Sequence, residues 1–553
     1  ERAQMQGLMM NMPLLISSVM EHAERHHPHV EIVSRRTEGD IHRTTYGEVA
    51  KRTKKLANTL TNLGVQQGEN IATLAWNGYR HVEIYYAVSG MGAVVHTLNP
   101  RLFPEQLVYI INHAKDTMVF FDSTFAPLVK AIAPACPTVK RWVQMCDEAA
   151  MPAEPAVAGC LNYEALIKEA SEQFAWPLLD ENAASGLCYT SGTTGNPKGA
   201  LYSHRSTVLH AMAACTPDAL GLSSRDTILP VVPMFHVNAW GIPYIALMCG
   251  AKMVMPGGAL DGASIYELLE GEKVNFSAGV PTVWLGLLNH VQQNGLKFNH
   301  FNRTVIGGSA APAAMIKTLN SLGVEVIHAW GMTELSPLGT VCRLKARHLD
   351  LSLEEKQSIM QKQGTAIFGV DMKIVSDDGE ELPWDGEAFG DLLVRGHWVI
   401  DSYYGGEGAK AFTTDKEGKK WFATGDVSKI NREGFMQITD RSKDVIKSGG
   451  EWISSIDLEN VAMAHPAVHE AAVISVYHPK WDERPLLVVV KKPGMDVTSD
   501  QLLAFFEGKI AKWWTPDGVV FVEAIALGAT GKMLKNKLRE QFENYLIQKV
   551  AAQ

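Results

Sequence analysis

Eleven consecutive residues, 189–199 (YTSGTTGNPKG), concentrate groups suited to holding phosphate. Gly192, Gly195 and Gly199 let the backbone approach a ligand closely, Thr190, Ser191, Thr193 and Thr194 add hydroxyls, and Lys198 adds a cation. The apolar stretch 184–188 before them predicts a loop just past a strand end. It is not a Walker A loop, whose lysine follows a glycine, because Lys198 follows Pro197. Gly90 and Gly92 make no dinucleotide fingerprint either, since Val95 stands where a third glycine belongs. Taken alone, residues 191–199 also fit a flexible polar turn.

Further motifs follow in chain order: 233–236 (PMFH), 307–310 (GGSA), 330–334 (WGMTE), 424–426 (TGD), 440–444 (DRSKD) and 530–532 (TGK). With the loop, this series resembles the adenylate-forming superfamily of acyl-CoA synthetases, peptide-synthetase adenylation domains and firefly-type luciferases. The resemblance implies an α/β chain with a large N-terminal domain of several subdomains over 1–440, mostly parallel sheets and a small β-rich subdomain. It also implies a hinge at 441–443 and a small mobile α+β domain over 444–553. The implied reaction has two steps. A carboxylic acid and ATP form acyl-AMP and pyrophosphate, and the acyl group then passes to coenzyme A with release of AMP.

The same resemblance assigns roles. ATP would contact Thr190, Ser191, Gly192, Thr193, Thr194, Gly195, Lys198, Gly308, Ser309, Ala310, His328, Ala329, Trp330, Gly331, Met332, Thr333, Asp426 and Arg441. Thr190 and Glu334 sit at the positions near Mg2+, a hard cation that takes oxygen ligands and few protein contacts. Asp426 would accept both ribose hydroxyl protons, with a turn or helix-cap aspartate as the alternative. Trp330 replaces the commoner tyrosine before Gly-Met-Thr-Glu and would stack on adenine; otherwise it is a core tryptophan. Lys532 would touch both anions as the carboxylate attacks the α-phosphate, and loss of such a contact costs on the order of 3–4 kcal/mol. Lys443 matches the hinge, and Lys447, Ser448, Gly449, Gly450, Glu451 and Trp452 the coenzyme A tunnel. His236 would lie near the acyl carboxylate. Val237, Trp240, Gly307 and Ala329 would line the acyl pocket, Trp240 as a gate or as plain core.

Residues 76–80 (WNGYR), 99–104 (NPRLFP), 234–240 (MFHVNAW) and 512–516 (KWWTP) point to the medium- and long-chain acyl branch, and the last resembles 3-methylmercaptopropionate-CoA ligases. The expected acid is 3-methylthiopropionate or a short- to medium-chain fatty acid, with a long-chain acid as the alternative. A luciferase-like oxidase or a non-catalytic nucleotide-binding protein are the competing classes. The second predicts loss of Lys532 or Glu334, and both are present.

These residues need a frame, and the patterning supplies one. Charged and apolar residues at helical spacing over 45–63, then an apolar run over 70–75, begin an alternation of helices and short buried strands. Residues 303–306 and 324–328 read as strands, Pro312 as the first residue of a helix, and 242–258 as a buried helix, turn and strand. From about 386, frequent glycines predict short strands. After 441 the pattern predicts a helix over 457–464 and strands over 471–476 and 486–490. The length of 553 residues exceeds one core. Its net charge of −9 argues against a nucleic-acid partner. Seven cysteines without a CxxC pair predict reduced thiols in a cytoplasm. No signal peptide or spanning segment is evident, and the segment 9–20 is a candidate contact of a homodimer.

Overall fold

The computed structural model describes residues 3–190, 196–449, 451–528 and 532–551. Ser191, Gly192, Thr193, Thr194, Gly195 and Gly450, with Thr530 of the TGK motif, lie outside the described residues.

Two large sheets form the N-terminal region. The first runs in the order Leu161–Asn162, Arg141–Met145, Met118–Asp122, Asn70–Leu74, Val94–Thr97, Ala184–Tyr189 and Gly199–Ser203. Every pair is parallel except the last, which is antiparallel. The second sheet has nine strands, and the six from Glu325–Gly331 to Glu31–Arg35 are parallel. Parallel strands are covered on both faces, which explains why Asn70–Leu74 and Val94–Thr97 are buried at every position. Thr45 caps the helix Tyr46–Asn62 by accepting from the Glu48 N–H, so the expected helix begins and ends within a residue of its prediction.

A third, wholly antiparallel sheet contains Val370–Val375, Gly390–Gly396, Lys420–Ile430, Phe412–Thr414 and Met436–Arg441. It begins well before residue 386, because its first strand, Val370–Val375, carries no glycine of its own. Pro312 is also corrected: it is the N-cap, with ψ 140°, and the helix is Ala313–Ser321.

The C-terminal region has its own sheet, in which Asp482–Lys491 pairs antiparallel with Val468–His478 and parallel with Gly518–Phe521. Its core of Ile446, Leu458, Val473, Leu487 and Phe506 is separate from the N-terminal cores. The two regions meet where the helix Ser455–Met463 starts. The Ser455 N–H and Oγ–H donate to the Asp440 carboxylate at 3.1 and 2.9 Å, and the Ser454 Oγ–H donates to the Thr439 carbonyl. No helix among the described residues is long and apolar enough to cross a membrane.

Candidate active site

Strand register delivers the first pair. Asp426 and Arg441 face each other across the strands Lys420–Ile430 and Met436–Arg441, with Arg441 Nε 3.6 Å from Asp426 Oδ1. The Trp330 Nε1–H donates to Asp426 Oδ2 at 3.0 Å. Trp330 is the last residue but one of the strand Glu325–Gly331, and Gly339 lies against its ring, where an added Cβ would fall 2.5 Å from Cζ3. At Gly331 an added Cβ would lie inside bonding distance of the Pro337 carbonyl, so only glycine lets the chain turn there. The turn brings Glu334 into the interior, 6% exposed, where its Oε2 accepts from the Tyr403 hydroxyl at 2.6 Å. Burial pushes the Glu334 carboxyl up; Tyr403, Lys532 and Arg441 oppose that.

Gly308 has φ +85° and its missing Cβ would meet Val280 at 2.8 Å, so the loop after Arg303–Ile306 runs close over Val280. His328 is fully buried, its Nε2 accepts from the Ala311 N–H at 3.1 Å, and burial lowers its pKa to about 4. It supports the 307–311 loop from beneath. Ser309 is exposed, while Ala310, Met332 and Thr333 are partly exposed. Thr190 and Lys198 close the base of the phosphate loop: the Thr190 N–H donates to the Lys198 carbonyl at 2.8 Å, and the Lys198 N–H to Thr190 Oγ1 at 3.3 Å.

Val237, Asn238, Ala239 and Trp240 all have positive φ, between 37° and 57°. A left-handed turn of four non-glycine residues costs roughly 1–3 kcal/mol each, and such strain gathers at functional sites. It presents the Trp240 ring to Gly307, where an added Cβ would sit 3.5 Å from Cη2 and 3.2 Å from the Ala329 carbonyl. Trp240, Gly307 and Ala329 therefore meet, as expected of one pocket wall. His236 immediately precedes the turn. Burial, then Lys532 and Arg101, lower its pKa to about 4, so it is neutral at pH 7. A small cavity beside it is lined by Arg101, Pro233, Phe235, Leu260 and Val280.

Lys532 comes from the C-terminal region. Its side chain is exposed by surface area, yet Arg441, Asp426, Glu334 and Lys443 stand close enough to shift its charge. Desolvation and then Arg441 lower its pKa, while Asp426 and Glu334 act in the other direction. Among the described residues its ammonium has no hydrogen-bond or ion-pair partner. Lys443, between the two regions, also has its pKa lowered by burial. Residues 447–449, expected to line a coenzyme A tunnel, lie on the C-terminal sheet: the Lys447 N–H donates to Glu483, Ser448 Oγ accepts from Arg484 at 3.1 Å, and the Gly449 N–H donates to the Trp481 carbonyl at 2.8 Å. Glu451 and Trp452 continue into the strand Glu451–Ile453.

Sequence reasoning did not anticipate Tyr403, Val280 or Arg101. Arg101 lies in a segment that the sequence singles out only as a branch signature. Tyr403 and Val280 carry no local signal, because their roles depend on what folds against them.

Comparison with known proteins places this geometry. Residues 19–404 match the AMP-binding enzyme family and residues 457–532 the AMP-binding enzyme C-terminal domain. The chain is 54% identical over 545 residues to the 3-methylmercaptopropionyl-CoA ligase of Ruegeria lacuscaerulensis, covering 98% of this chain and 100% of that protein. It is 52% identical to the medium-chain-fatty-acid–CoA ligase of Ectopseudomonas oleovorans, covering 98% of both, and 46% identical to the long-chain-fatty-acid–CoA ligase of Thermus thermophilus, covering 97% of both. Its fold matches the anthranilate CoA ligase AuaEII in complex with anthranoyl-AMP, with a TM-score of 0.85 at 23% identity over 98% of this chain and 99% of that one. The phosphate loop, the Trp330–Asp426 contact, the buried Glu334 and the lysine brought from the second region thus sit in a chain that belongs to the AMP-binding enzyme family and is an AMP-forming acyl-CoA ligase.

Proposed function

We propose that the chain activates 3-methylthiopropionate or a short- to medium-chain fatty acid, by a first step catalysed where Lys532 faces Glu334, Asp426 and His236. The convergence of those four side chains from two separately built regions carries the reading. Lys532 stabilises the charge that gathers as the carboxylate approaches the α-phosphate. Trp330, Asp426 and Arg441 hold the nucleoside, and Lys198 and the loop base hold the phosphates. Neutral His236 donates or accepts near the acyl carboxylate without adding a charge.

Glu334 fits a Mg2+ site: it is a buried carboxylate whose ionised form a cation would favour. Thr190 would add a hydroxyl oxygen, and the ion would neutralise phosphate charge when bound.

For the second step, residues 444–553 swing about 441–443 and bring residues 447–452 to the cleft for coenzyme A. Support for this acid comes from the Trp240 ring standing against Gly307, where it would shorten an acyl pocket, and from ligases of comparable length and high identity. A screen of C2 to C16 acids and 3-methylthiopropionate for CoA-dependent AMP release tests it. A best kcat/KM at C12 or above overturns this acid in favour of the long-chain alternative.

A homodimer is supported by Met5, Leu8, Met9, Met10 and Met12, which are 75–98% exposed; of the expected 9–20 segment the second half is excluded, because Ile16, Val19 and Met20 are buried in this chain's own core. Such a run is covered in solution by a second copy. Met9→Asp/Met10→Asp should halve the mass measured by light scattering, and a wild-type monomer would refute the dimer. Seven unpaired thiols suit a cytoplasmic enzyme.

A further inference from the structure

Residues 403–408 touch the two halves of the phosphate-handling machinery at once. At one end, the Tyr403 hydroxyl donates to Glu334 Oε2 at 2.6 Å. At the other, Glu407 Oε1 lies 2.6 Å from His113 Nε2, and His113 Nδ1 lies 2.5 Å from the Tyr189 hydroxyl. Tyr189 is the last strand residue before the phosphate loop and pairs with Gly199. Between the ends, the strap lies directly on the loop stem. An added Cβ at Gly199 would fall 3.1 Å from Tyr404, and one at Gly408 would fall 2.9 Å from Lys198 Cδ.

The direction of these bonds is fixed by the partners. Burial raises the Tyr189 phenol well above its usual range, so it is a donor and His113 Nδ1 accepts. Nε2 then carries the ring proton and donates to the Glu407 carboxylate. His113 stands on the helix Pro104–Ala114, outside every motif considered above, and His113 packs edge-on to both Tyr189 and Tyr404.

We propose that residues 403–408 clamp the stem at Tyr189, Lys198 and Gly199 to the Glu334 carboxylate, with His113, Glu407 and Tyr403 as positioning residues for the nucleotide's polyphosphate. This rests on the nucleotide reading above and adds residues to it. If Tyr403 or the His113–Glu407 contact is lost, the loop base and Glu334 move independently, and ATP is held in more than one pose. The three residues touch no reacting atom in the proposal.

Two measurements separate the clamp from a merely structural role. In direct titration with ATP in the absence of acid, His113→Ala should weaken binding about tenfold, the size expected for a lost partner of two part-buried hydrogen bonds, one of them to a carboxylate. His113→Asn, whose Oδ1 replaces the Nδ1 acceptor, should recover part of that loss. In kinetics, His113→Ala and Tyr403→Phe should raise the ATP KM of adenylate formation more than they lower kcat. Their double variant should be non-additive, because both act through one strap. Additive effects, or variant ATP affinity within about twofold of wild type, would overturn the clamp. A wild type that binds ATP yet makes no AMP would count against the ligase reading alone.

Discussion

On the N-terminal side of the cleft, Trp330, Glu334 and Asp426 are 7%, 6% and 4% exposed, and each is fixed by a bond to another side chain. On the C-terminal side, Lys532 is exposed and has no such partner among the described residues. The first set is built in advance by strand register and by glycines that leave no room for a side chain. The second is delivered by docking of a separate core, through bonds that include those of Ser454 and Ser455 to Thr439 and Asp440 and of the Ala313 N–H to Asn460 Oδ1. A preorganised pocket can thus be reused for a second step once its delivered lysine withdraws.

The largest effect should come from removing the delivered group. Lys532→Ala should slow adenylate formation by on the order of 10²–10³ while sparing thioester formation from pre-made acyl-AMP. Lys443→Pro should do the reverse and let acyl-AMP accumulate. Equal loss of both half-reactions in either variant, with folding intact, would erase the contrast between the two sides.

Trp240→Ala sharpens the comparison within the preorganised side. It should shift kcat/KM toward longer acids by roughly tenfold or more, since one methylene is worth about 1–3 kcal/mol in an apolar pocket, with little change in ATP affinity. Parallel chain-length profiles for wild type and variant would make Trp240 plain core.

What could be read from sequence follows the same division. Asp426, Glu334 and Lys532 stand out in the sequence by type and order, and the structure brings them near one another. The helix 46–62 and the buried strands are legible from periodicity. Tyr403, His113 and Val280 were not, since a tyrosine or histidine beside ordinary neighbours becomes informative only when a distant chain folds against it. The left-handed turn at 237–240 was invisible for a related reason: none of its four residues is glycine, so local preference argues against the conformation the surroundings impose.

A smaller effect tests the rigidity of the frame. His210 is 2% exposed, its Nε2 accepts from the Leu338 N–H at 3.2 Å, and burial lowers its pKa to about 3 from 6.5. The unfolded chain therefore binds a proton at His210 that the folded chain does not, so this contribution to stability is lost as pH falls from about 6.5 toward 3. His210→Asn should flatten the fall of the urea midpoint between pH 7.5 and 5. A variant as acid-sensitive as the wild type would show that His210 is not held neutral.

The central claim is that the acid's own carboxylate oxygen attacks the α-phosphate of ATP in the cleft closed by Lys532. An acid labelled with 18O in both carboxylate oxygens tests it in one turnover. One labelled oxygen should appear in AMP and none in pyrophosphate, because the bond broken on transfer to coenzyme A is the acyl carbon to oxygen bond. Label in inorganic phosphate with ADP as the nucleotide product, or unlabelled AMP, would contradict the account.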